Sequence, residues 1–147
     1  MNGHGGARRR RDADRESGVS AIEFVMLTPI LFFLIFATVQ FALYFFARHV
    51  AIAAAQEGAR VARAEAANPA ENWSADAKSK ANAWISQLAP SLLSGSRVVT
   101  STKGTRGADG WTVSVTVTAT VPSLIPGTTM RVSETSSGPI EQFIPDN

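Results

Sequence analysis

The chain has no cysteine, so it can build neither a disulfide framework nor a thiolate metal site, and it has no cysteine nucleophile. Histidine is scarce too: only His4 and His49 occur, one near the amino terminus and one beside the end of a long apolar run. No Ser/His/Asp set and no metal-ligand spacing can be drawn from so few candidates. The Gly104-x-x-Gly107 pair is loop composition and lacks the pattern of a phosphate cradle. Asp109 and Glu134 are the one carboxylate pair that strand pairing could bring together, and Asp109 sits in a Gly-flanked turn where Asp is expected anyway. The expectation is a protein that is not an enzyme and holds no cofactor and no metal. A basic imbalance is also missing from the body of the chain. Residues 1–18 hold five Arg against three acids, which accounts for the whole formal charge of +2, and the other nine basic residues are matched by nine acidic ones. No nucleic-acid-binding face is expected from such a balance.

Charge is scarcest between Glu16 and Arg48, where Glu23 stands alone. Residues 24–47, FVMLTPILFFLIFATVQFALYFFA, are uncharged throughout. At the rise of an α-helix this run spans about 36 Å, enough to cross a hydrocarbon core of about 30 Å with some tilt. The arginines of residues 1–18 favour an amino terminus kept in the cytoplasm, with the rest of the chain on the other side. A cleaved secretory signal is the rival reading, because Ala51-Ile52-Ala53 has the look of a cleavage site. The apolar run is longer than such signals carry, and Arg48 and His49 intervene before the site. Pro29 is expected to kink the helix, and Thr28, Thr38 and Gln40 to bond either neighbouring helices or their own backbone. Glu23 costs about 2.5–3.5 kcal/mol near a bilayer centre and less near an interface, so a carboxylate there calls for a partner. A cut after Gly18 would make Val19 the new amino terminus, with its ammonium one helical turn from Glu23.

This arrangement resembles the processing site of type IV prepilins: a basic leader ending in Gly, then a Glu at the fifth mature position. The wider segment Gly18–Leu34, GVSAIEFVMLTPILFFL, is similar to the amino-terminal segment of TadE-like pseudopilins of the tight-adherence (Tad, or Flp) pilus system. There, Glu-Phe is followed by small and aliphatic residues and then a Pro, which here are Glu23, Phe24 and Pro29. The likeness continues more weakly through Gln56–Arg60 and is only a shared layout beyond residue 68. It implies cleavage between Gly18 and Val19 by a prepilin peptidase, recognition and assembly through Glu23 and Phe24, and pairing of Glu23 with a Val19 ammonium to set register between subunits. Val19 departs from the aromatic residue with which mature pilins often begin, which puts amino-terminal methylation in doubt.

Beyond the run, Arg48–Ala67 is alanine-rich and continues the helix, with Val50, Ala54 and Val61 beside Ala51, Ala55 and Ala62 on one face. Asn68-Pro69 reads as the start of a second helix, and Trp73, Ala77, Ala81, Trp84 and Leu88 recur along it at intervals of three or four. Asn72-Trp73-Ser74 matches a glycosylation sequon, a weak motif by itself. Trp111–Val121 alternates apolar and hydroxyl residues, which predicts a strand with Trp111, Val113, Val115, Val117, Ala119 and Val121 on its buried face. Residues 97–102 and 128–135 supply flanking strands. The expected fold is α+β: a long amino-terminal transmembrane helix running on as an amphipathic helix, a second helix, and a three-stranded antiparallel meander. The layout is a leader at 1–18, helix and extension at 19–67, a small α+β domain at 68–135, and a flexible tail at 136–147.

Together these features predict a minor pseudopilin, single-pass in the bacterial cytoplasmic membrane, whose partners are other pilins, the prepilin peptidase, the pilus assembly platform and membrane lipid. An outer domain of this size favours a minor role over that of the short major pilin. The competing expectation is a signal-anchored binding module that is never processed and never assembles.

Overall fold

A computed structural model describes the backbone of residues 6–105 and 110–140, and the side chains of residues 21–105 and 110–140. Five elements follow in order: α1 (Gly6–Glu65), α2 (Trp73–Leu88), β1 (Ser94–Lys103), β2 (Thr112–Val121) and β3 (Met130–Pro139). The chain divides into two compact units, Met1–Val39 and Gln40–Asn147. In the first, the helix passes without a break through Pro29, and its large apolar side chains are exposed, Phe24 and Phe33 each at 71%. The backbone is helical from Gly6, in an Arg-rich segment that contains no Pro.

The second unit is a sheet covered on one face by helix. Strand order is β1-β2-β3, antiparallel throughout, as the alternation along β2 requires. Trp111, Val113, Val115, Val117, Ala119 and Val121 are all buried, and the Ser and Thr residues between them lie on the other face. That hydroxyl face is tied across strands by Ser101–Ser114 and Thr116–Thr135 hydrogen bonds of 2.7 and 2.8 Å. Against the buried face lies a small-residue stripe of α1, Ala47, Val50, Ala51, Ala54, Ala55, Ala59 and Ala62, continued by Ala66 just past the helix end. Val61, expected on this face, is only half-buried, whereas Gly58 is buried. At Gly58 a Cβ would stand 3.0 Å from the Ala77 carbonyl oxygen, 3.1 Å from Val115 Cγ1 and 3.2 Å from Ala81 Cβ. Here the first helix, the second helix and the central strand meet, and only the missing side chain allows the approach.

Three boundaries differ from the sequence expectation. Asn68 does not cap α2: its Oδ1 accepts from Ala70 N at 3.1 Å and closes a local turn, whereas Asn72 is the N-cap, its Oδ1 accepting from Ala75 N at 3.3 Å. The sequon asparagine is thus engaged as a cap. β1 begins at Ser94, earlier than residue 97, with an irregularity between Ser94 and Arg97. β3 extends to Pro139, where a tail was expected from 136, because Ser136, Ser137, Gly138 and Pro139 pair with Val115, Ser114, Val113 and Thr112. The rest of the expected tail, from residue 141, and Asp109 lie outside the described residues.

Candidate functional site

Two features stand out along α1. The first is the acid expected from the sequence. Glu23 is exposed and, among the described residues, has no hydrogen bond or ion pair within the chain. Phe24 beside it is equally free, and Ile22, Val25, Met26 and Leu27 are each more than 60% exposed. Gly18 and Val19 lie in the helical backbone of α1, with side chains outside the described residues. The hydroxyls nearby are self-satisfied: Thr28 donates to the Phe24 carbonyl at 2.6 Å and Thr38 to the Leu34 carbonyl at 2.8 Å. They leave Glu23 as the one polar group of this segment without an intramolecular partner among the described side chains. The portion Ala21–Glu65 is long and apolar enough to cross a membrane, with a mean hydropathy of 2.3 over its most apolar stretch and none of that stretch buried within the protein.

The second feature was not anticipated. Gln40, grouped by sequence with Thr28 and Thr38, is buried at 8% exposure and does not bond its own helix. Its Nε2 donates to the Pro122 carbonyl at 3.1 Å and to Met130 Sδ at 2.9 Å, while its Oε1 accepts from Leu124 N at 2.7 Å. The side-chain amide therefore pairs with residues 122 and 124 as a neighbouring strand's peptide would, just where Pro122 ends β2. A lone amide in an apolar run was the signal, but nothing in the sequence says which segment it holds.

Two acids of the second unit are held by arginines. Glu134 meets Arg48, whose Nε donates to Glu134 Oε1 at 2.7 Å, an interaction that raises the Arg48 pKa. Glu57 accepts two hydrogen bonds from Arg60, at 2.7 and 3.1 Å, which hold its carboxyl below the usual range, and Lys80 stands 4.0 Å away. The buried Arg63 Nε has no hydrogen-bond partner among the described residues, and Glu65 is likewise unsatisfied. Its Oε2 is buried without a hydrogen bond, and burial, helped by the nearby Asp76 and Glu71 charges, pushes its pKa up. A shallow recess of about 550 Å³ is lined by Gln56, Glu57, Arg60, Arg63, Trp84 and Ser136. It is wide open and holds no nucleophile paired with a base. Among the described residues no group of three or more His, Asp or Glu could hold a metal ion. His49 is exposed.

With this geometry in place, a comparison with protein families becomes informative. Residues 18–60 match the family model described as TadE-like protein. Over this segment the chain is similar to that family. The match begins at Gly18, takes in Glu23, Phe24 and Pro29, and ends at Arg60, within the stripe that packs on the sheet. α2 and the sheet lie outside it. Neither the curated proteins nor the solved structures gave a match. The match over residues 18–60 and the apolar helix both fit a membrane-anchored, single-pass protein.

Proposed function

We propose that this protein is a minor pseudopilin of a Tad pilus or related secretion apparatus, matured by a prepilin peptidase between Gly18 and Val19. The observation that carries the reading is Glu23: an exposed carboxylate, unpaired among the described residues and placed five residues after Gly18 in a stretch otherwise free of charge. In lipid such a group is stabilised by a cation, and the α-ammonium released at Val19 is the nearest that processing could supply. Pairing across subunits would fix register, while exposed Phe24, Phe33 and their neighbours exchange lipid for other helices. The role is structural and non-enzymatic, with other pilins, the peptidase and the assembly platform as partners. The leader stays on the cytoplasmic side and the α+β domain faces outward, consistent with the arginine cluster of residues 1–18.

Mass spectrometry of the full chain, expressed with a prepilin peptidase and extracted from membranes, tests the proposal. A chain beginning at Val19 is expected. An intact or merely Met-trimmed terminus would overturn it and favour an anchored binding module that does not assemble.

A further inference from the structure

The long helix and the central strand run in opposite directions. Val121 shares a core cluster with Ala47 and Val50, whereas Val113 and Val115 cluster with Ala59, Ala62 and Ala66. The β2–β3 loop therefore leaves the sheet at the end nearest the apolar run and follows α1 back to Gln40. Gln40 lies seven residues before Ala47, about 10 Å along a helix. A hydrocarbon core of about 30 Å takes about 20 residues, which counted from Phe24 reach Leu43. The loop is thus fastened beside a part of α1 that stands within or at the edge of lipid when the helix crosses a bilayer.

Its composition suits that position. From Pro122 to Met130 there is no charge, and the loop's tip exposes Leu124 at 45% and Ile125 at 54%. Phe41 and Phe45 are exposed on the same stretch of α1, and Leu88 at the end of α2 is exposed beside the same core cluster. The cations follow in order. Arg131 stands opposite Thr120 and Arg97 opposite Thr118, one and three ladder positions up from Val121. Both are exposed, on the hydroxyl face, and together they flank a shallow depression floored by Thr118 and Thr120. The carboxylate of this region, Glu134, is already neutralised by Arg48. An apolar tip with cations about 3 and 10 Å up the sheet from Val121 is the order of groups met on passing from acyl chains to phosphates.

We infer that the β2–β3 loop is a second lipid contact: Leu124 and Ile125 enter the interface of the leaflet on the domain's side, Gln40 holds them at that depth, and Arg97 and Arg131 meet anionic headgroups. The inference rests on α1 crossing the bilayer. Its consequence is a domain whose own loop touches the bilayer surface.

Because the chain has no cysteine, a single one can be placed at will. Full-length Ile125→Cys, Leu124→Cys, Phe33→Cys and Lys103→Cys proteins would each carry an environment-sensitive fluorophore in vesicles of equal parts phosphatidylcholine and phosphatidylglycerol. Quenching by nitroxide lipids and by aqueous iodide would then be compared. Labels at 124 and 125 are expected to be blue-shifted, quenched from the lipid and protected from iodide, like Phe33→Cys and unlike Lys103→Cys. If 124 and 125 behave like 103 while 33 remains lipid-buried, the loop contact is wrong and the span stands. If the label at 33 is open to iodide, the span fails and the loop contact falls with it.

Discussion

Gln40 holds Leu124 through the backbone: the glutamine side-chain oxygen accepts from the leucine N–H at 2.7 Å while its nitrogen donates to the carbonyl of Pro122. This single amide satisfies both edges of the chain where β2 stops. Gln40→Leu preserves bulk but strands the Leu124 N–H and the Pro122 carbonyl. A partly buried group left unsatisfied costs about 1–3 kcal/mol. The expected outcome is a loss of stability of that order, together with faster hydrogen exchange at the Leu124 amide. Exchange mass spectrometry on peptides covering residues 122–130 would read it, with peptides from β1 as the internal reference. Unchanged exchange in that loop would show that the amide does not restrain it.

The crossing at Gly58 makes a different prediction. A Cβ there meets a main-chain oxygen at 3.0 Å, and a helix backbone cannot step aside as a flexible side chain can. Gly58→Val should therefore push α1 off α2 and the central strand, at an overpacking cost of about 1–3 kcal/mol. Thermal unfolding of the detergent-solubilised chain is the measurement. A melting temperature equal to that of the unsubstituted protein would mean the helices separate freely at this point.

Glu65 and Glu57 should give stability opposite dependences on pH. Burial raises the Glu65 pKa in the folded state, so the fold binds more protons there than the unfolded chain does. That penalty is absent below the ordinary carboxylate range and grows as pH rises through the raised folded value. Glu65→Gln is thus expected to stabilise the protein at neutral pH and to make little difference in acid. The Arg60 hydrogen bonds lower the Glu57 pKa, so its contribution is present above the ordinary range and disappears as pH falls through the lowered value. Glu57→Gln should destabilise at neutral pH and lose its effect in acid. Urea unfolding across pH 3 to 8 would separate the two, and parallel profiles would contradict the assignment.

Glu23→Ala should leave membrane insertion unchanged, since removing a charge from an apolar segment only lowers the cost of burying it. Incorporation into pili, or pilus formation itself, should be lost. Electron microscopy and shear fractionation of cells carrying the variant give the readout, and wild-type piliation would count heavily against a role for this acid in assembly.

Much of the architecture can be read directly along the chain. An uncharged run of such length can only be a membrane-crossing or fully buried helix, and strict alternation over residues 111–121 fixes which side of β2 faces the core. Both are periodicities of a single element, visible without knowing what it packs against. End points were less legible. Asn68 and Asn72 are chemically equal candidates for a cap, and only the turn closed by Asn68 hands the role to the second. The reach of β3 to Pro139 depended on β2 offering unpaired backbone as far as Thr112, a property of the partner strand.

By itself, then, the sequence determined the apolar helix, the lone acid at its start, the small-residue face of its extension and the buried side of the central strand, because each is set by neighbours within a few residues. Long-range contacts, by contrast, set Gln40 against Pro122 and Leu124, bring Arg48 to Glu134, and make Gly58 a place where both helices and the central strand meet. Those contacts join residues up to about ninety positions apart, and a local pattern cannot encode which distant group will satisfy a given donor or fill a given gap.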